Sequence, residues 1–348
     1  MQSKFTKGVV TFLAWSISMG IYGCTDFLLT DRNGDCVVGR SMEFAPDLKS
    51  EIFVQAGRGQ NCQSMIGQKK AFSWQQKYAI LGINVFGNNQ FVVDGMNGQG
   101  LSVEYLWFPG AKYPELVPGK MNNTINLYDV GSWLLGTCAT VAEVEAKLKG
   151  VFVFAPGFSG GDLSGVLPLH LSIHDRKGNS LVVEFIDGQM KIMRNKVGVL
   201  TNSPSFDWHV TNLNNYVGLS GMDRNPDKFG GLALSPTGQG SGLSGLPGGY
   251  TPPARFVRIA FLKLFADVAR DAEKNKNLAW HLLNTVDIPY GVIKTSDGHI
   301  GDFTQWAIVK DLKNGILFYR TYDNLIPQMQ SLSDALNTGM ANIPLRAQ

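Results

Sequence analysis

The cysteine at position 24 is the residue best suited to covalent chemistry, provided that the chain is cut just before it. A cysteine that begins a chain carries its own candidate base, because the α-amine has a reference pKa near 7.7–8.0. Nucleophile and base then lie on one residue, as in the pairing of an N-terminal threonine with its own amine. Cys24 therefore predicts nucleophilic attack by sulfur, and the segment before it decides whether that chemistry can occur.

The first 23 residues have the order of a bacterial-type secretory signal. Lys4 and Lys7 give a basic start, the stretch 8–21 is uncharged and mostly apolar, and Gly23 is a small residue just before Cys24. The apolar stretch is too short for a comfortable membrane span. We predict a signal peptide over 1–23 and a periplasmic or secreted mature protein with no integral membrane span after processing.

The sequence Ile21-Tyr22-Gly23-Cys24 also resembles the cleavage box of a lipoprotein, in which the cysteine would be lipidated. A blocked α-amine could not act as a base, so the two fates of Cys24 lead to different functions. A free Cys24 favours an enzyme, whereas a lipidated Cys24 favours a surface-binding protein.

The other three cysteines lack the spacing of a zinc site, since the chain has no CxxC pair and no histidine at zinc-finger spacing from them. Export would permit a disulfide among Cys36, Cys62 and Cys138, but we interpret them as small buried side chains. His170 and His174 lie four residues apart in a predicted strand, which separates them by roughly 13 Å. We interpret both as ordinary strand histidines, and we predict neither a metal nor a cofactor.

The composition is that of a globular protein with a substantial core. The chain has 348 residues, of which 44% are hydrophobic and 17% charged, and these values exclude a disordered chain, a collagen repeat and a polytopic membrane protein. The net charge of +3 gives no reason to expect a nucleic-acid partner. No linker or repeat interrupts the chain, so we predict one domain over 24–348.

Turn signals between apolar runs predict a series of β-hairpins. The predicted strand pairs are 24–29 with 36–40, 91–93 with 101–106, 169–174 with 180–186, and 305–311 with 316–322, with further strands at 188–195 and 197–200. Apolar spacing predicts helices over 127–135, 141–148, 254–268 and 278–284. Strand-rich blocks separated by pairs of helices predict an α+β fold built of layers.

A set of short segments follows Cys24 in a fixed order. The main ones are Cys24-Thr25-Asp26, Gly39-Arg40-Ser41-Met42-Glu43, Asp94-Gly95-Met96-Asn97, Leu106-Trp107-Phe108-Pro109-Gly110, Thr201-Asn202-Ser203-Pro204 and Ala254-Arg255-Phe256-Val257-Arg258. Together, from Cys24 to about Asn324, they resemble the choloylglycine hydrolase family, which includes bile salt hydrolases and penicillin V acylases. The resemblance implies an N-terminal nucleophile hydrolase with a four-layer αββα sandwich that cleaves linear amide bonds.

The resemblance implies roles for five residues. Cys24 matches the nucleophile, and Arg40 matches an arginine beside the thiol, where a guanidinium lowers the thiol pKa. Glu43 falls where the family usually has the aspartate that orients the α-amine; this departure keeps the charge but adds a methylene. Asn202 matches an oxyanion-hole donor. Arg255 matches an arginine that supports the transition state and the α-amine network.

Trp107 is a second departure, because bile salt hydrolases typically have asparagine there and Gram-positive penicillin V acylases have tyrosine. Tryptophan resembles the Gram-negative acylases, some of which act on penicillin V and long-chain acyl-homoserine lactones. Its indole N–H could donate a hydrogen bond near the oxyanion, and its ring could form a wall of an acyl pocket.

These observations predict an exported cysteine amidohydrolase that resembles penicillin V acylases and acts on penicillin V or acyl-homoserine lactones. Its partner is a small-molecule amide substrate, and the resemblance also allows a homotetramer. Conjugated bile salts are the alternative substrates, because the segments Leu246-Pro247-Gly248 and Ala254–Arg258 resemble those of bile salt hydrolases and Gram-positive acylases. An alternative of another class is a lipidated surface-binding protein on a degenerate hydrolase fold.

Overall fold

Two antiparallel β-sheets face each other in the computed structural model, which describes residues 23–345. Of the predicted signal peptide only Gly23 lies among these residues, so the prediction for 1–22 falls outside them. The sheet that carries Cys24, here called the first sheet, has six strands. Their order is β16 (Val199–Leu200), β1 (Gly23–Thr30), β2 (Cys36–Phe44), β19 (Phe303–Asp311), β20 (Ile316–Thr321) and β21 (Gln328–Ser331).

The second sheet has eight strands. Their order is β15 (Gln189–Arg194), β14 (Ser180–Ile186), β13 (Leu169–Asp175), β8 (Leu101–Trp107), β7 (Asp94–Asn97), β6 (Ile80–Asn84), β3 (Glu51–Gln55) and β22 (Ile343–Pro344). Four further pairs of strands form separate two-stranded sheets. They are β4 (Asn61–Ile66) with β5 (Lys69–Gln75), β9 (Thr124–Asn126) with β10 (Phe152–Phe154), β11 (Phe158–Gly160) with β12 (Leu163–Gly165), and β17 (Asp227–Phe229) with β18 (Leu232–Leu234).

Helices cover the outer side of each sheet. The six helices among the described residues are α1 (Val130–Thr137), α2 (Val141–Leu148), α3 (Phe206–Asn212), α4 (Pro252–Phe265), α5 (Ala272–Asn284) and α6 (Leu332–Thr338). Helices α4 and α5 pack on the first sheet, and α1 and α2 pack on the second. This confirms the predicted α+β fold with four αββα layers. Within 23–345, no helix has the length and apolar character needed to cross a membrane.

Both faces of the first sheet are covered, so its central strands are buried along nearly their whole length. Successive side chains of a strand point to opposite faces. Cys24 lies opposite Met42 on the face toward the second sheet, which we call the inner face. Gly23 lies opposite Glu43 on the outer face, beneath α4. The strand register thus separates the side chain of Cys24 from that of Glu43.

The predicted hairpins form, with one shifted strand and three shifted helices. Helix α4, predicted over 254–268, spans Pro252–Phe265, because the backbone becomes extended at Ala266. The strand predicted at 91–93 begins instead at Asp94, because that carboxylate is paired with a buried lysine between the sheets. Residues 127–129 form a 3₁₀ turn before α1. Helix α5 begins six residues earlier than predicted, at Ala272 after the cap Asp271, because charged residues fill its first turns.

All four cysteines have free thiols; Cys36 and Cys138 are buried as interpreted, whereas Cys62 is partly exposed.

Gly39 packs directly against the ring of its cross-strand partner Phe27. A Cβ atom at Gly39 would lie 2.4 Å from Phe27 Cζ, so Gly39→Ala must displace a fully buried ring. We expect Gly39→Ala to lower the free energy of unfolding by about 1–3 kcal/mol in chemical denaturation. Gly218→Ala is the matched control, because position 218 is exposed and has open space around it. Equal stability of the two variants would contradict this packing.

Candidate active site

The thiol of Cys24 lies at the start of β1, at the edge of an apolar cavity between the two sheets. Cys24 is 2% exposed. The cavity is lined by Cys24, Met42, Phe44, Leu48, Val85, Phe91, Val93, Tyr105, Trp107, Leu163, Leu167 and Leu169. The hydroxyl of Tyr105 already donates to Leu127 O and accepts from Gly131 N–H, so it presents mainly its ring. The sulfur of Cys24 therefore faces an apolar compartment, the kind of surrounding that an acyl group prefers.

Arg40 is the charged residue in contact with the sulfur. Its Nη2 donates to Cys24 Sγ at 3.4 Å, and its side chain is fully buried. Burial raises the pKa of the Cys24 thiol, while Arg40 and a hydrogen bond from the backbone of Trp107 lower it; burial has the larger effect, so the pKa is raised overall. Burial thus favours the protonated thiol, and Arg40 and the backbone of Trp107 favour the thiolate.

Asn202 and Arg255 both form hydrogen bonds to the backbone of Cys24. Arg255 Nη1 donates to Cys24 O at 2.5 Å and to Thr25 Oγ1 at 2.6 Å, and its Nη2 donates to Asn202 Oδ1 at 2.7 Å. A guanidinium only donates, so the amide oxygen of Asn202 must face it. The same oxygen accepts Cys24 N–H at 2.8 Å, and Asn202 Nδ2 donates to Trp107 O at 2.8 Å. Asn202 therefore connects β1, α4 and the end of β8.

Glu43 lies beside Gly23, on the opposite face of the sheet from the thiol. Thr304 Oγ1 donates to Glu43 Oε1 at 3.1 Å, and burial raises the pKa of Glu43 to about 7. A methyl group on Gly23 would lie 2.9 Å from Glu43 Cβ, so only glycine fits between this side chain and Arg255. The nitrogen of Cys24 bonds to Asn202, and Glu43 faces the position that Gly23 occupies.

Asp302 is a site residue that sequence reasoning missed. It is buried just before β19, and its carboxylate accepts a hydrogen bond from the backbone of Gly23. Burial, and the charge of Glu43, raise its pKa to about 8. The junction between Gly23 and Cys24 is thus surrounded by Glu43, Asp302 and Arg255. A lone aspartate before a strand carries no sequence signal for this placement.

Two buried histidines fix the segment that carries Asn202. His209 Nε2 lies 2.9 Å from Asn202 O, and His170 Nε2 lies 2.9 Å from Thr201 O. Carbonyl oxygens only accept, so both ring nitrogens donate. His209 also stacks on Phe256 of α4 at 4.7 Å between ring centroids, and burial lowers its pKa to about 4. His170, interpreted from the sequence as an ordinary strand histidine, thus holds the segment that contains Asn202. His209 could not be predicted as a site residue, because nothing in its spacing marks it.

Trp107 forms one wall of the apolar cavity. Its ring meets Phe44 edge to face, with centroids 5.5 Å apart. Its backbone contributes more directly, because the carbonyl accepts from Asn202 and a backbone hydrogen bond reaches the thiol of Cys24. The structure therefore brings together Cys24, Arg40, Asn202, Arg255 and Trp107, with Glu43 on the reverse face of the sheet.

A network of buried charges lies between the sheets behind Arg40, and we call it the inter-sheet network. Its members are Asp26, Arg40, Asp94, Glu104, His174 and Lys310. The ligand atoms of Asp26, Glu104 and His174 all lie within 4.8 Å of one another, which is a geometry that a metal could use. The ammonium group of Lys310 already contacts Glu104 at 2.5 Å, however, so a cation is present at this cluster.

Comparison with known proteins identifies the family. The model of the linear amide C–N hydrolases of the choloylglycine hydrolase family matches residues 24–338. The chain belongs to this family. It therefore hydrolyses C–N bonds other than peptide bonds in linear amides, which confirms the predicted reaction class.

Three relatives show how close the likeness is. A bile salt hydrolase/transferase of Clostridium perfringens is 36% identical over 306 residues, which cover 86% of this chain and 90% of the relative. A penicillin V acylase of Pectobacterium atrosepticum is 27% identical over 345 residues, covering 91% and 83%. The crystal structure of a variant of the conjugated bile acid hydrolase from C. perfringens superposes with a TM-score of 0.80 at 32% identity, covering 93% of this chain and 97% of that one.

The contact from His209 to Asn202 predicts a loss of activity without loss of the fold. His209→Phe keeps a ring against Phe256 but leaves the carbonyl of Asn202 without its donor, which costs about 1–3 kcal/mol. We expect kcat for a linear amide to fall about tenfold. His281→Phe on the exposed side of α5 is the control. If both variants hydrolyse the amide equally fast, His209 does not position Asn202.

Proposed function

We propose that this chain is an exported enzyme that hydrolyses conjugated bile salts, with Cys24 as its nucleophile. The observation that carries the proposal is the thiol of Cys24 at the edge of an apolar cavity, with Arg40 on the sulfur and Asn202 on the adjoining nitrogen. The likeness to a bile salt hydrolase/transferase, at 36% identity, supports this substrate class over the penicillin V acylase, at 27%. The comparisons thus favour the alternative substrates that the sequence suggested.

The first step is removal of residues 1–23, which converts the peptide nitrogen of Cys24 into an α-amine. That nitrogen already bonds to Asn202 Oδ1, so the freed amine has one partner in place. The position vacated by Gly23 lies beside Glu43 and Asp302, whose carboxylates can hold the amine from the outer face. The extra methylene of Glu43 is accommodated because Thr304 holds the carboxylate at the sheet.

The second step is attack of Cys24 Sγ on the amide carbonyl carbon. The α-amine takes the thiol proton, the sulfur–carbon bond forms, and the carbonyl π electrons move onto oxygen. A guanidinium at 3.4 Å from the sulfur stabilises the thiolate character that attack requires. The second N–H of Asn202 Nδ2, whose first N–H is used by Trp107 O, can donate to the oxyanion.

The last steps release the amine and restore the enzyme. The tetrahedral intermediate collapses, the C–N bond breaks, and the proton held by the α-amine passes to the leaving nitrogen. Water then attacks the thioester, with the α-amine again as base, and the carboxylic acid leaves while Cys24 Sγ regains its proton. The α-amine of Cys24 thus acts as the base or the acid in each proton transfer of these reaction steps.

Penicillin V or an acyl-homoserine lactone is the second candidate substrate, favoured by Trp107. The indole ring, packed edge to face against Phe44, gives the cavity an aromatic wall that suits a phenoxyacetyl group or an alkyl chain. A steroid nucleus also presents an apolar face, so the cavity lining alone is compatible with both substrate classes.

A parallel assay of two amides separates these candidates. For protein that begins at Cys24, we expect glycine release from glycocholate to be at least about tenfold faster, in kcat/KM, than phenoxyacetate release from penicillin V. Cys24→Ala should abolish both reactions, and Cys62→Ala, which alters another free cysteine, should leave them unchanged. Faster release of phenoxyacetate would contradict the bile salt specificity and favour a penicillin V acylase. Amide hydrolysis by Cys24→Ala would show that Cys24 is not the nucleophile.

The mass of the processed N-terminus tests export and the free amine together. We expect the protein purified after export to begin at Cys24 with an unmodified α-amine, as shown by intact mass and N-terminal sequencing. A diacylated Cys24 would instead support the lipidated surface-binding protein, because its blocked amine could not serve as a base. A chain that keeps residues 1–23 would refute the processing step.

A further inference from the structure

One carboxylate in the inter-sheet network is shared between two cations. Asp94 Oδ1 lies 2.5 Å from Lys310 Nζ, whereas Asp94 Oδ2 lies 3.6 Å from Arg40 Nη1. The side chains of all three residues have no exposure to solvent. Asp94 is thus closer to the lysine than to the arginine that contacts the thiol.

This unequal sharing matters because charges interact strongly in a buried, low-dielectric site. A carboxylate that paired fully with Arg40 would neutralise its guanidinium and reduce the attraction between Arg40 and a thiolate. Lys310 takes up the closer carboxylate oxygen of Asp94. Arg40 then keeps its Nη2 directed at Cys24 Sγ, 3.4 Å away.

We propose that Lys310 and Asp94 are positioning residues for the reaction: Lys310 binds Asp94 and so leaves the positive charge of Arg40 available to the sulfur of Cys24. The proposal rests on the proposed role of Cys24 as nucleophile. Neither residue touches the sulfur, so both act through Arg40. Removing the lysine must therefore oppose thiolate formation, and removing the carboxylate must favour it.

The other charged groups around Cys24 and Arg40 are common to every variant in the test. Glu104 contacts Lys310 at 2.5 Å from β8, and Asp26 of β1 pairs with His174 of β13 at 2.7 Å. Glu43 and Arg255 face Cys24 from the outer side of the sheet. Lys310 also lowers the pKa of Glu104, so Lys310→Met affects that carboxyl as well, whereas Asp94→Asn alters the shared carboxylate itself.

The test is the pH dependence of alkylation of Cys24 by iodoacetamide, followed by mass spectrometry of the peptide that contains Cys24, in protein that begins there. We expect Lys310→Met to raise the apparent thiol pKa by about one unit, and Asp94→Asn to lower it by about the same amount. The acidic limb of the kcat/KM profile should move in the same directions. Lys313→Met, which removes a lysine from an exposed ion pair with Asp35, should move neither.

The double variant Asp94→Asn/Lys310→Met removes both charges of the Asp94–Lys310 pair, and Glu104 loses its lysine partner in this variant just as it does in Lys310→Met. Its thiol pKa should return to within about 0.3 unit of the unaltered protein. Shifts of both single variants in one direction, or a double variant that differs from the unaltered protein as much as the single variants do, would overturn the proposal. The alkylation readout needs no turnover, so it stands apart from the proposed function, whose failure would show as amide hydrolysis by Cys24→Ala.

Discussion

The covering of strand β1 on both faces is the constraint on which the rest of the site depends. Because side chains alternate along a strand, the thiol of Cys24 points into the cavity between the sheets, while Thr25 and the neighbouring backbone face α4. Arg40 can reach the sulfur only from the inner face, and Arg255 can reach the backbone only from the outer face. One strand thus keeps the groups that act on sulfur apart from those that act on nitrogen.

Burial makes this arrangement costly, and the network of partners offsets the cost. Arg40, Arg255 and Lys310 are all completely buried, and a buried cation without a partner would destabilise the fold by several kcal/mol. Each of them instead contacts carboxylates, carbonyls or the sulfur itself. The same low-dielectric surroundings raise the thiol pKa of Cys24, whose sulfur lies next to the nitrogen that becomes the base in the proposed mechanism.

Much of the fold and part of the site can be predicted from the sequence. Turn signals such as Asn33-Gly34 and the regular spacing of apolar residues place most hairpins and helices, because those signals are local. Arg40, Asn202 and Arg255 would not stand out singly, and it is the order of the segments after Cys24 that carries the resemblance to the family. Asp302 and Lys310 are different, because their partners Gly23 and Asp94 lie more than 200 residues away along the chain. His209 lies only 7 residues from Asn202, but no spacing signal marks this contact or the stacking on Phe256 of α4, and only the folded chain shows them. The shifted start of β7 has a similar cause. In the sequence Asp94 is typical of a turn, and only the folded chain shows that it pairs with the buried Lys310.

The most direct test of the account is to trap the acyl-enzyme. Protein that begins at Cys24 is mixed with glycocholate, quenched in acid within a single turnover, and digested for mass spectrometry. We expect a cholyl thioester on the sulfur of Cys24, on a peptide whose α-amine is free, and we expect it to disappear at the rate of cholate release. Cholate release in that turnover with Cys24 never acylated, or acylated elsewhere than on sulfur, would contradict it.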